Sequence, residues 1–278
     1  MKKPPETWFW SHDIKSTQID SVVMPGTRLI RLSAYGGADR RRFAALVYQD
    51  TGPERRYALD LDAAGLAARL HDTGARPVAI TAAPDETGAA RFSVVLETGP
   101  GPLSSAHVDL DEAGLRALLD DQHCIADLAT YTAGGGRRFA AIVEERTGPS
   151  WLWVGVSPAE LDAGLLEHGA ALVRLRAYPG ADGPRLAAVA ERARATSWSW
   201  YADLDADGVA RKLEDNAAYP VDLDAASFAR GNPGAAPDAA SFARGNPGAA
   251  PDAASFARGN PGAAPPGVRF TVVMYRHR

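Results

Sequence analysis

Residues 28–75 read RLIRLSAYGGADRRRFAALVYQDTGPERRYALDLDAAGLAARLHDTGA, and the reading of this stretch decides the fold. RLIRLSAY alternates apolar and polar side chains, the period of a strand with one buried face. A loop, GGADR, leads to the strand-like run RFAALVYQD, and a turn at Thr51-Gly52-Pro53 leads to a third, RRYALDL. The period then changes. Leu66 and Leu70 lie four apart and so share a helix face. Asp62 stands four residues before Leu66 as a good N-cap, and Gly74 sits where a helix takes a left-handed C-terminal residue. One stretch thus reads strand, strand, strand, helix.

The same reading recurs along the chain. Arg42-Phe43, Arg91-Phe92, Arg138-Phe139 and Arg185-Leu186 are spaced by 49, 47 and 47 residues, each followed by a small-apolar run. Arg269-Phe270 resumes the series after 84 residues, or 42 once three tandem 14-mers are set aside. Leu32, Ile80, Leu128, Leu175 and Leu223 keep the register at 48, 48, 47 and 48. Leu115/Leu119, Leu161/Leu165 and Val209/Leu213 repeat the helix pair, with Ile19/Val23 as its first copy. Asp111, Ser157 and Asp205 repeat the cap. Ser157-Pro-Ala-Glu160 adds a capping box with proline at the first helical position, and Gly169 repeats the helix stop of Gly74. A period of 20–50 residues marks a repeat architecture. The expected fold is therefore an α+β repeat array of tandem β-β-β-α units of about 48 residues in one domain. Units fall at 1–27 (partial), 28–75, 76–123, 124–170, 171–218 and 219–278 (partial).

DAASFARGNPGAAP, present three times without mismatch over 224–265, is the more conspicuous repeat. Asn-Pro-Gly is a turn signal, and the one phenylalanine per copy (Phe228, Phe242, Phe256) buries too little surface to offset ordering. It reads as a flexible loop insertion in a hairpin, tolerated because loop-closure cost grows slowly with length.

SWSWYADLDADGVARKLEDNAAYPVDL and IADLATYTAGGGRRFAAIVEERTGPSWLW carry a resemblance. They are similar to the bacterial tandem repeat domain, the non-catalytic N-terminal module of polyglycine hydrolases and related secreted serine hydrolases. The resemblance covers nearly the whole chain except 224–265. It implies a mostly antiparallel, curved sheet, an open half-barrel with one short helix per unit. It brings no catalysis: the nucleophile of those enzymes lies in a separate β-lactamase-like domain with Ser-x-x-Lys, and no serine here has lysine three positions on.

The formal net charge is -4, and no basic tract interleaves with aromatics, so the footprint of a nucleic-acid binder is missing. No apolar run approaches bilayer length. The start, MKKPPETWFWSHDIK, lacks an apolar signal core, so the expected location is cytoplasmic, or extracellular for a protein whose signal has been removed. Cys124, the single cysteine, excludes an intrachain disulfide and reads as a buried structural thiol.

Asp203, Asp205, Asp207 and Glu214 match the calcium-loop pattern of an EF-hand. The aligned copies Asp60-Leu-Asp62 and Asp109-Leu-Asp111 share only a strand-ending acid and a cap, which favours capping over calcium. His71, His123 and His168 fall near helix C-termini, where a partly cationic ring is favourable. Gly134-Gly135-Gly136 reads as a hairpin connection. Trp8/Trp10, Trp151/Trp153 and Trp198/Trp200 each share one strand face, either filling the core or forming a strip for sugars or a peptide; the core is favoured. No catalytic residue and no cofactor is expected. The expected function is a non-catalytic binding module for a protein, peptide or glycan partner. Two alternatives remain: an accessory or remnant part of a secreted serine hydrolase, and a precursor of three 14-residue products.

Overall fold

A computed structural model describes residues 4–193, 197–227 and 267–276. Among the described residues, fifteen strands and five short helices form five repeated units, each a three-stranded antiparallel sheet in the order strand, helix, strand, strand. The first holds β1 (Thr7–Ile14), α1 (Ile19–Val22), β2 (Arg28–Tyr35) and β3 (Arg42–Gln49). The second holds β4 (Arg55–Leu61), α2 (Ala63–Thr73), β5 (Arg76–Pro84) and β6 (Ala90–Glu97). The third holds β7 (Ser104–Leu110), α3 (Glu112–Arg116), β8 (His123–Ala133) and β9 (Gly136–Glu145). The fourth holds β10 (Ser150–Val156), α4 (Pro158–His168), β11 (Ala170–Gly180) and β12 (Gly183–Arg192). The fifth holds β13 (Trp198–Leu204), α5 (Ala206–Asp215), β14 (Ala218–Ser227) and β15 (Val268–Arg276). In every sheet the third strand is central. Hydrogen bonding therefore divides the period in another frame: the strand before each helix joins the two strands after it.

Local signals act where the residues place them. Asp62, Asp111, Ser157 and Asp205 each cap the helix that follows, accepting from the backbone N–H three residues on. Gly74 and Gly169 end their helices with φ of 58° and 56°. The first strand of each unit is bulged just before the cap. Asp13, Asp60, Asp109 and Asp203 sit there with φ from 53° to 58°, a region aspartate tolerates, and Gly155 occupies the same place at 74°. This explains the Arg-Phe pairs. The ring of Phe43, Phe139 or Phe270 is buried, while Arg42, Arg138 and Arg269 reach the bulge carboxylates of Asp13, Asp109 and Asp203 at 3.0, 3.6 and 3.2 Å.

In place of the expected single sheet, the described residues form five separate antiparallel sheets, which stand face to face in a ring. Five apolar cores lie between them, one at each seam. Leu32 and Ala79 meet between units one and two, Ile80 and Tyr131 between two and three, and Leu128 and Val189 between three and four. Leu175 packs with Trp200 between four and five. The last core joins the fifth unit to the first, with Leu46 and Trp10 against Val272 and Phe270. Both faces of each sheet are apolar, so both must be covered; a ring supplies every face with a neighbour, whereas an open array leaves two bare. The first four residues of the 14-mer block, Asp224–Ser227, are the end of β14, and the rest of the block lies outside the described residues.

Candidate functional site

The inner strands β2, β5, β8, β11 and β14 are sheet edges, so their backbone N–H and C=O groups have no partner strand toward the ring centre. Side chains of the next unit supply the partners. Thr81 Oγ1 accepts from Ala34 N at 2.9 Å, Asp127 from Ile80 N at 2.7 Å and Asp222 from Leu175 N at 2.9 Å. Arg176 donates to the Leu128 carbonyl, and Ser33 Oγ accepts from Ala225 N at 2.9 Å across the closing seam.

The charged members form one buried network. Asp127 meets Arg31 at 2.8 Å and both Arg174 and Arg176 at 3.1 Å. Asp222 meets Arg176 at 2.6 Å and Arg31 at 3.1 Å; Asp224 accepts from Ser33 at 2.6 Å and lies 3.8 Å from Arg176. Three guanidinium groups face three carboxylates. The Arg31 nitrogens make no aligned hydrogen bond, so charge alone holds Arg31. Burial raises the Asp127 carboxyl pKa against the pull of Arg31 and Arg176. It pushes Asp224 up to about 6 against Arg176 and the Ser33 hydrogen bond. For Arg176 burial acts downward, but Asp222, Asp224 and Asp127 outweigh it and the guanidinium pKa is raised. On the axis these charges pair with one another and hold the ring.

An open cleft lies instead at the seam between the third and fourth units, about 250 Å³ in volume. Its lining includes Cys124, Arg146, Pro149, Ser150, Glu191 and Arg192. Arg28, Arg76 and Cys124 follow at intervals of 48 and hold one repeat position. Arg28 pairs with Asp50 and Arg76 with Glu97, and each packs so closely on its loop that a Cβ on Gly52 or Gly101 would overlap the guanidinium. Cys124 is too short to do either. Arg146 compensates from the adjoining loop, ion-paired to Glu191 and donating to the Cys124 sulfur at 3.2 Å. Burial raises the Cys124 thiol pKa although Arg146 opposes it, so the thiol is held protonated. At the matching place in the preceding units, Arg55 donates to the Leu29 carbonyl at 3.1 Å and Ser104 to the Pro77 carbonyl at 3.0 Å. The Ser150 hydroxyl of the fourth unit is buried with no hydrogen-bond partner among the described residues.

The residues singled out from sequence lie elsewhere. Asp203 is the bulge residue paired with Arg269, and burial raises its pKa against that pairing. Asp205 caps α5, accepting from Gly208 N at 2.6 Å, and Asp207 lies in the first turn. Glu214 is in the last turn, about 14 Å along the helix from Asp205. The loop that a calcium site needs is here a strand end, a bulge, a cap and a helix, so the four carboxylates do not converge. Trp8 and Trp10 lie in the closing core, and Trp198 and Trp200 between units four and five. Trp151 and Trp153 are half-buried, with Trp151 stacked on His168 at 5.2 Å. The three pairs therefore do not line one open strip.

Sequence reasoning missed Arg31, Asp127, Arg174, Arg176, Asp222 and Asp224. The signal was present: four of these charges stand immediately before the repeat residues Leu32, Leu128, Leu175 and Leu223, inside otherwise apolar strands.

A family model described as a polyglycine hydrolase-like structural repeat matches residues 24–50, the stretch that contains β2 and β3. The match is consistent with a bacterial tandem repeat domain. No curated protein matches the chain.

Proposed function

We propose that the chain is a non-catalytic repeat scaffold whose third seam binds a peptide or glycan partner. The observation that carries this reading is the cleft left by Cys124 where the earlier repeats carry arginine. Its lining offers an unpartnered hydroxyl, an exposed guanidinium at Arg192 and the apolar faces of Pro149 and Ala193. Such a mixture hydrogen-bonds amide or sugar hydroxyl groups while covering their apolar edges. The test is calorimetric titration of the full chain with tetraglycine and with a chito-oligosaccharide. Saturable binding of either is expected, lost in Cys124→Arg, whose side chain fills the cleft. Binding unchanged in that variant, or none to either probe, overturns the reading.

The description of the matched family as polyglycine hydrolase-like favours a second reading, an accessory part of a serine hydrolase. It requires that the chain alter cleavage of an oligoglycine substrate by a separate hydrolase while showing none alone.

A further inference from the structure

We propose that the peptide partner at the third seam is recognised through an arginine side chain, whose guanidinium takes over Glu191 the place that the chain's own arginines hold over Glu97. The inference rests on the reading of the cleft as a binding site. In the second unit Glu97, on the central strand, is the register partner of both Arg55 on β4 and Arg76 on β5. Arg55 pairs with it at 2.7 Å, Arg76 pairs from the other side, and Arg28 of the first unit reaches it across the seam at 3.5 Å. Three guanidinium groups thus enclose one carboxylate, which is 4% exposed.

The fourth unit keeps the carboxylate and drops the cations. Glu191 is the register partner of Ser150 on β10 and Ala171 on β11, and Cys124 of the third unit holds the place of Arg28. Small residues fill all three arginine positions, and Arg146 from the loop restores one guanidinium only. It pairs with Oε1 of Glu191, while Oε2 accepts no hydrogen bond among the described residues, and the side chain is 27% exposed. Glu144, 4.0 Å from Arg146, draws on the same cation. Arg192 on the cleft wall is exposed and makes no ion pair among the described residues, so water and salt screen its charge. The lining supplies the rest of what an arginine needs. The buried Ser150 hydroxyl, opposite Glu191 in register, can accept a guanidinium N–H. Pro149 and Ala193 offer apolar surface to the methylene stem. The planar fork of a guanidinium matches a carboxylate edge with two parallel N–H groups, a fit that a sugar hydroxyl or a neutral amide does not reproduce.

The experiment titrates the full chain calorimetrically with acetyl-Gly-Arg-Gly-amide and with its citrulline counterpart, which keeps the shape and removes the charge. The arginine peptide is expected to bind about tenfold more tightly than the citrulline peptide. That advantage should vanish in Ser150→Arg, which sets the second unit's own residue beside Glu191. It should vanish equally in Glu191→Gln, which decides alone should the first variant not fold. Equal affinity of the two peptides, or an advantage that survives in either folded variant, overturns the inference. Binding of tetraglycine or the chito-oligosaccharide that Cys124→Arg abolishes, with no arginine advantage, overturns this inference and leaves the cleft reading standing. No binding by any of these probes overturns both.

Discussion

The seam between the second and third units and the seam between the third and fourth are built on equivalent strands, and they differ at one repeat position that bears on the cleft. Arg76 fills the first, pairing with Glu97 and approaching Glu144 to 3.9 Å. Cys124 occupies its place in the second, and the missing guanidinium returns from the loop as Arg146. The charge is conserved across the seam while the volume is not. A repeat scaffold can thus open a cleft at one seam without altering the strands, because the apolar cores below carry the packing and the axis carries the edges.

The largest test of this comparison is a change that both seams share. Asp127 accepts from Ile80 of the second unit and pairs with Arg174 and Arg176 of the fourth. Asp127→Ala leaves two buried guanidinium groups, Arg31 and Arg176, and the half-buried Arg174 with two carboxylates, and is expected to cost about 3–5 kcal/mol in urea unfolding. Asp127→Asn, which keeps an acceptor for Ile80, should cost less; equal losses would mean that the hydrogen bond to Ile80 plays no part and that the loss is one of charge.

Arg76→Cys turns the filled seam into a copy of the open one. It leaves Glu97, only 4% exposed, with Arg28 and Arg55 as partners, and should cost about 2 kcal/mol. Chemical denaturation with unchanged m would confirm that the fold persists. No loss would show that Arg76 is only a surface charge.

The closing seam sharpens the contrast through pH. Asp224 holds its proton up to about pH 6, whereas an unfolded aspartate releases it near 3.9. The folded state therefore binds more protons between these values, so stability through Asp224 rises as pH falls from about 7 toward 4 and is lost as pH climbs back. The expected size is on the order of 1–2 kcal/mol, read as the difference in Tm profile between the wild type and Asp224→Asn. Parallel profiles would place the titration elsewhere.

The smallest effect comes from reversing the exchange at the third seam. Cys124→Arg alone sets two guanidinium groups together, whereas Cys124→Arg/Arg146→Glu restores the pattern of the first two seams. A favourable coupling of about 0.5–1 kcal/mol is expected in a double-mutant cycle. Additive effects would show that the two positions do not trade the same charge.

Much of this was legible because its causes are local. Asp62, Asp111, Ser157 and Asp205 cap helices through their own backbone neighbours, and Gly74 and Gly169 stop them by conformation, so no distant residue is needed. The burial of the Arg-Phe phenylalanines goes with the continuous apolar runs they open on the central strands. The carboxylates of Asp203 and Asp205 allowed two readings, because a calcium loop and a bulge followed by a cap share the same local spacing; the aligned copies favoured the cap, and Asp205 caps α5. Only the positions of Arg269 and Glu214 tell them apart. The axial charges stayed hidden because Arg31 and Asp127 are far apart in sequence and nothing local requires their meeting.

By itself the sequence determined the period, the strands, the caps and the helix stops, since each depends on side chains within a few residues of one another. Only the tertiary structure decided that the units close as a ring of separate sheets, that six charges neutralise one another on its axis, and that a cleft opens at the seam of the third and fourth units. Those outcomes depend on which faces and edges are left uncovered after local structure has formed. Burial then forces every bare edge and unpaired charge to find a partner, and the partners come from neighbouring units.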